Sequence, residues 1–162
     1  MTAFITRMPA GFVGQISRDP GAAVIETEQL DATSIPAAFG LFVKTVSGKL
    51  QQADTVASIT GLLVRGYPSQ STTNTAGAAA PVASSMCNRA RKAYATVLCA
   101  YGTPAKDGIV YMRVTASGGT RTGGAVGDLE ATADGAYNAA VTGARWTGGV
   151  DSAGVAEIAY NM

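Results

Sequence analysis

The sequence predicts an all-β protein, a small β-sandwich or barrel. Apolar and β-branched residues alternate with period two over several short runs, and Gly, Pro and Asp-Gly pairs punctuate those runs. Helical periodicity is nearly absent, and short strands joined by Gly-rich turns are the pattern of a sandwich or barrel. At 162 residues the chain has the length of one domain.

Residues 1–35 stand apart as an extended N-terminal arm ahead of a β-sandwich domain over 36–162. Met8-Pro9-Ala10-Gly11, Arg18-Asp19-Pro20-Gly21 and Ser34-Ile35-Pro36 cut the arm into short extended pieces. Only residues 23–30 carry a strand pattern there, with Val24 and Ile25 ahead of Glu26, Thr27 and Glu28. Phe4, Ile5, Phe12, Val13 and Ile16 are apolar residues with few local partners, so they need a surface to cover. Two surfaces serve: the domain's own core, or another subunit reached by strand addition or groove docking.

From residue 37 the strand signal strengthens. Residues 39–46 read as a strand ended by Ser47-Gly48-Lys49, with Leu50-Gln51-Gln52 as its return. Residues 58–65 read as another, and Gly61 inside it marks a bulge or a close backbone approach. Residues 68–81 are polar or tiny throughout and predict a long exposed loop. Met86, Ala90 and Ala93 share one helical face, which predicts a short helix over 83–92. Residues 94–100 and 109–115 both alternate, and Gly102, Pro104 and Asp107-Gly108 between them predict a hairpin. A glycine-rich loop at 117–124 follows, then strands over 125–133, 139–142, 144–147 and 155–160.

Charge and chemistry exclude several function classes. Charged residues make up 14% of the chain, against ~25% in ordinary soluble domains. Such a surface suits a subunit packed against neighbours. The net charge of +1 supplies no attraction to nucleic acid or an anionic membrane, and no apolar run has the length of a membrane span. The opening residues lack the apolar stretch of a signal peptide, so Cys87 and Cys99 are expected as free thiols, with a bridge between them as the alternative. Arg89, Arg91 and Lys92 form the densest basic cluster, suited to solvating a strand or meeting a partner's carboxylates.

The chain has no histidine, which removes His-based catalytic triads and the commonest zinc ligand. The glycines at 118–127 lack the Gly-Lys-Ser/Thr of a phosphate loop. Asp128 and Glu130 share a face of an alternating strand, which suits a hydrolytic carboxylate pair but better suits a solvated strand edge. Trp146 is either core or, with Tyr137, a stacking pair for a sugar. No catalytic, cofactor-binding or metal-ligating set emerges.

Five stretches carry a family likeness: residues 1–12, Ile35 to Gly48, Leu63 to Pro68, Tyr94 to Val114 and Val155 to Asn161. Through them the whole chain resembles the structural cement (capsid decoration) proteins of tailed bacteriophages. The resemblance implies a jelly-roll-like β-sandwich on the outside of an icosahedral head, made in the host cytoplasm and without enzyme activity or cofactor. It implies a partner in the major capsid protein, whose neighbouring subunits it cements in the expanded shell. It also implies self-association as a homodimer, with a homotrimer as the alternative. Phe4, Ile5, Phe12, Val13 and Ile16 are then the candidate capsid or partner interface. A glycan-binding β-module at a head-fibre base is the competing reading.

Overall fold

The computed structural model describes residues 11–18, 20–66 and 80–162. Among these residues nine strands run in the order β1 (Val24–Gln29), β2 (Phe42–Val46), β3 (Lys49–Gln52), β4 (Gly61–Val64), β5 (Met86–Tyr101), β6 (Ile109–Arg113), β7 (Leu129–Glu130), β8 (Asn138–Trp146) and β9 (Val155–Tyr160). Single 3₁₀ turns at Pro20–Ala22 and Val56–Ser58 are the helical pieces among the described residues.

β5 organises the rest. Its sixteen residues contain no Gly or Pro, so the chain stays extended long enough to serve two sets of neighbours. Its first half pairs antiparallel with β1 on one edge and β4 on the other. Its second half pairs antiparallel with β9 and parallel with β7. From that half the hydrogen bonds run β7, β6, β8, β9 and back to β5, closing a ring. From the first half they run β4, β2, β3, and a bridge between Leu30 and Leu50 ties the end of β1 to β3. Two small rings therefore share one strand. The all-β class holds, and the jelly-roll arrangement is not established by these pairings.

The core follows the rings. The larger cluster holds Val97, Val110, Met112, Leu129, Val141, Trp146 and Ile158, with Phe42, Leu62 and Val64 from the other ring packed on it. A second cluster joins Leu30, Val43, Leu50 and Leu63. In β4, Leu62 and Val64 face the first cluster while Leu63 faces the second, so Gly-Leu-Leu-Val is apolar on both faces. Phe42 meets Tyr160 edge to face at 5.2 Å, stitching the rings together. Cys87 and Cys99 are free and half-buried.

Four expectations need correction. Residues 94–100 and 109–115 contain strands, but these do not pair: β7 lies between them, Leu129 beside Cys99 and Met112, Glu130 beside Tyr101 and Tyr111. The connecting loop is held away, because Asp107 N–H donates to Trp146 C=O and Trp146 N–H to Gly108 C=O. Residues 86–92 are strand and not helix, since pairing on both edges overrides the helical spacing of small residues. The strand expected over 125–133 shrinks to Leu129–Glu130, because residues 125–128 form a turn closed by Asp128 N–H to Ala125 C=O. The two pieces expected around Gly143 form one strand, β8.

Gly61 proves to be a close approach: a Cβ there would overlap the Arg89 side-chain stem and sit 2.8 Å from Ala90 C=O. Gly61→Ala is expected to destabilise the protein by about 1–3 kcal/mol through overpacking. Urea titration checks this, with a lower midpoint at unchanged slope as the expected result.

Candidate interaction surface

The carboxylates considered for hydrolysis are occupied. β6 presents Val110 and Met112 to the ring interior, so Tyr111 and Arg113 face outward, beside Glu130 of β7. Arg113 and Glu130 are nonetheless fully buried, joined at 2.7 Å. Arg113 also reaches Asp134 at 2.8 Å. Arg121 bridges Asp128 at 2.8 Å and Glu130 at 2.9 Å, and Asn138 Nδ2 donates to Glu130 at 2.5 Å. Glu130 therefore lies on no solvated strand edge, which corrects that expectation.

The glycine-rich loop covers this cluster. A Cβ at Gly119 would collide with the Asp134 carboxylate, and one at Gly124 with the Arg113 guanidinium. The glycines thus let backbone close over a buried ion cluster, and Thr120 N–H donates to Asp134 Oδ1 at 2.8 Å. That bond, followed by the Arg113 contact, holds the Asp134 carboxyl below its usual range. The Glu130 hydrogen bond and, after it, Asp134 raise the Arg113 guanidinium further.

Trp146 is core: it is 1% exposed and its indole N–H has no protein partner among the described residues. It cannot stack on a sugar, and Tyr137, half-buried, packs its ring against Gly118 instead. The basic cluster turns inward as well. Arg89 is buried and ion-paired with Glu26 and Glu28, while exposed Arg91 reaches Glu26 at 2.8 Å. The carboxylates it meets belong to β1 of the same chain, not to a partner.

What remains is an apolar surface. Phe4 and Ile5 lie outside the described residues. Gly14 N–H donates to Thr96 C=O, Thr96 N–H to Gln15 C=O and Ser17 N–H to Tyr94 C=O, so residues 14–17 run antiparallel along β5. Ile16 bridges Ala95 and packs on the larger core cluster. Arg18 lies 4.1 Å over the Tyr94 ring and pairs with Glu157 at 2.6 Å. Burial alone would raise Glu157, but hydrogen bonds from Arg18, Ser17 and Thr147 bring it below its usual range. Arg65 Nε donates to Val13 C=O at 2.7 Å, and Val13 is half-buried. Phe12 stays 41% exposed, its C=O accepting from the Thr96 hydroxyl.

Leu98 is 47% exposed and lies two residues beyond Thr96 on the same face of β5, the face whose Thr96 hydroxyl meets the Phe12 carbonyl. The sequence reading missed Leu98 as a surface residue. Alternation grouped it with Tyr94 and Thr96, yet nothing in the spacing told the outward face from the inward one.

Two predictions follow from the charge network. Arg113→Met leaves Asp134 buried without its cation and Glu130 with Arg121 alone, and is expected to cost on the order of 3–5 kcal/mol, measured by urea denaturation. Acid unfolding has a definite sign. Asp134 and Asp31, the latter lowered by the Ser34 N–H and the Thr33 N–H and hydroxyl, have folded values below their unfolded ones. Their contribution is complete above about pH 4 and is lost as pH falls through the folded values. The melting temperature should hold above that point and drop below it, and Asp31→Asn should flatten the drop.

The family described as structural cement protein (E217 gp24/Pam3 gp6) matches residues 2–161. A solved chain from the capsid of Myoviridae phage XM1 has the same fold, with a TM-score of 0.62 at 16% identity, over 97% of this chain and 94% of that one. No curated protein matches. The chain belongs to the structural cement protein family and is a capsid-stabilising structural protein of a phage.

Proposed function

We propose that the protein decorates the outer surface of the phage head, where it bridges neighbouring major capsid subunits of the expanded shell. It is made in the host cytoplasm and acts without catalysis or a cofactor. Phe4, Ile5, Phe12, Val13 and Ile16 supply the capsid or partner interface, with Leu98 beside them. The observation that carries this is two exposed apolar side chains on rigid supports, Phe12 on a segment hydrogen-bonded to β5 and Leu98 on β5 itself. Apolar anchors on a rigid support bind with little loss of conformational freedom, which is how a few side chains dominate an interface. Ile16 serves from beneath, fixing the segment that presents Phe12.

Stabilisation follows from linkage. A contact of about 800 Å² per partner is enough for specific binding. A self-associated pair touching two subunits makes the second contact intramolecular and raises avidity by about 100-fold or more. Binding that favours the assembled lattice over free subunits stabilises that lattice by mass action. Homodimers serve this geometry, with homotrimers as the alternative. Nothing favours the glycan reading, since Trp146 is core.

The test is cosedimentation with expanded heads that lack the protein. Phe12→Ser combined with Leu98→Ser is expected to weaken binding about tenfold or more, the loss of at least ~1.4 kcal/mol of anchoring. The folded domain should remain, judged by an unchanged circular dichroism spectrum. Full binding by the double variant would remove this surface from the interface.

A further inference from the structure

The outer face of β5, β9 and β8 carries positive charge that the described chain leaves unanswered. Tyr94, Ala159, Arg145 and Ile109 are successive cross-strand partners on β5, β9, β8 and β6. Their neighbours Ala95, Ile158, Trp146 and Val110 belong to the core, so this row points outward. Lys92 stands two residues before Tyr94 on the same face of β5. Two carboxylates border the patch, and both are taken. Glu157 accepts from Ser17, Arg18 and Thr147, while Glu26 meets Arg89 and Arg91. Lys92 and Arg145 form no ion pair among the described residues. The exposed Arg145 guanidinium donates to the C=O of Ala144, its own neighbour, at 3.3 Å. Lys49 and Lys106 also lack a carboxylate there, but Lys49 lies on β3 in the other ring and Lys106 has Asp107 beside it in the chain.

We infer that Lys92 and Arg145 receive carboxylates from an acidic segment of the capsid subunit that Phe12 and Leu98 contact. The inference deepens the proposed attachment and rests on it. Continuity with the apolar anchors selects the partner. Leu98 pairs with Val155, four residues before Ala159 on β9, so Arg145 lies about 17 Å from Leu98 along one strand and across two spacings. A contact of about 800 Å² is wider than that, so a subunit seated on the anchors also covers the cations. Covering them with a neutral surface would strand charge away from water, which favours a partner that brings anions. Two cations beside apolar anchors fit a protein's carboxylates, whereas a nucleic-acid footprint takes about six or more phosphate contacts. Ala159 is small, which leaves a gap of about 10 Å between Tyr94 and Arg145. An Asp or Glu side chain entering that gap meets the guanidinium fork, with Tyr94 and Ile109 as apolar walls.

Cosedimentation with expanded heads that lack the protein tests this at low and at high salt, using the full chain. Wild-type affinity is expected to fall as salt rises. Lys92→Gln combined with Arg145→Gln is expected to bind about three- to tenfold more weakly at low salt, and the gap should close at high salt. Lys92→Glu combined with Arg145→Glu should bind more weakly still, with the dichroism spectrum unchanged in both variants. The loss in Phe12→Ser combined with Leu98→Ser, being apolar, should persist at high salt. Heads that take up the neutralised variant as well as the wild type overturn the inference alone, and so does a loss that high salt leaves unchanged. Wild-type protein that binds duplex DNA through these two residues at the same salt also overturns it, by assigning them to phosphate. Wild-type protein that never sediments with heads overturns the attachment reading, and this inference with it.

Discussion

Every strand ladder among the described residues traces back to β5, which is paired with β1 and β4 in its first half and with β9 and β7 in its second. An extended strand of this length offers more backbone donors and acceptors than one small ring can satisfy, and buried ones must be paired. Two rings are the consequence: one closes on its second half, the other curls from its first. Sharing a strand also forces the rings into contact, which is why β4 is buried on both faces and Phe42 meets Tyr160. The described part of the N-terminal segment takes up what edge remains, with residues 14–17 lying against Tyr94 and Thr96.

A weakly charged chain would be expected to carry its few charges on the surface, yet this one buries Arg89, Arg113, Glu130 and Asp134. Arg113 is buried with Glu130 and Asp134 in one ring, and Arg89 is buried in the other beneath the partly exposed Glu26 and Glu28. Such pairs add little net stability over apolar packing, but removing one member is costly, and that asymmetry fixes register. Arg113 joins β6 to β7 and to the loop above, so a strand of only two residues finds its place. Because these ions satisfy one another, they add nothing to the surface, where exposed apolar side chains such as Phe12 and Leu98 stand among the remaining charges. That is the surface a protein needs when it works by adhering to a shell.

Much of the fold was legible in the sequence. β1, β2, β3, β6 and β9 were anticipated because alternation and turn residues mark both their ends. The partners were not legible, since a two-residue strand such as β7 carries no period, and its insertion between β5 and β6 depends on contacts far apart in sequence. The helix expected near Met86 failed because small residues at helical spacing are equally compatible with a strand paired on both edges. Of the candidate interface, Phe12, Val13 and Ile16 could be named as residues in need of cover. Their division into an exposed anchor, Phe12, and half-buried supports, Val13 and Ile16, required the structure. Leu98 required it too, for only burial of Thr96 beneath Phe12 shows which face of β5 looks outward.

The family match, the occupied carboxylates and the apolar surface converge on stabilisation by attachment. The most direct measurement is the temperature at which expanded heads rupture as the purified protein is titrated onto heads that lack it. The account predicts that this temperature climbs with occupancy and levels off when the sites are full. Heads that fill to saturation and still rupture at the temperature of bare heads would contradict it.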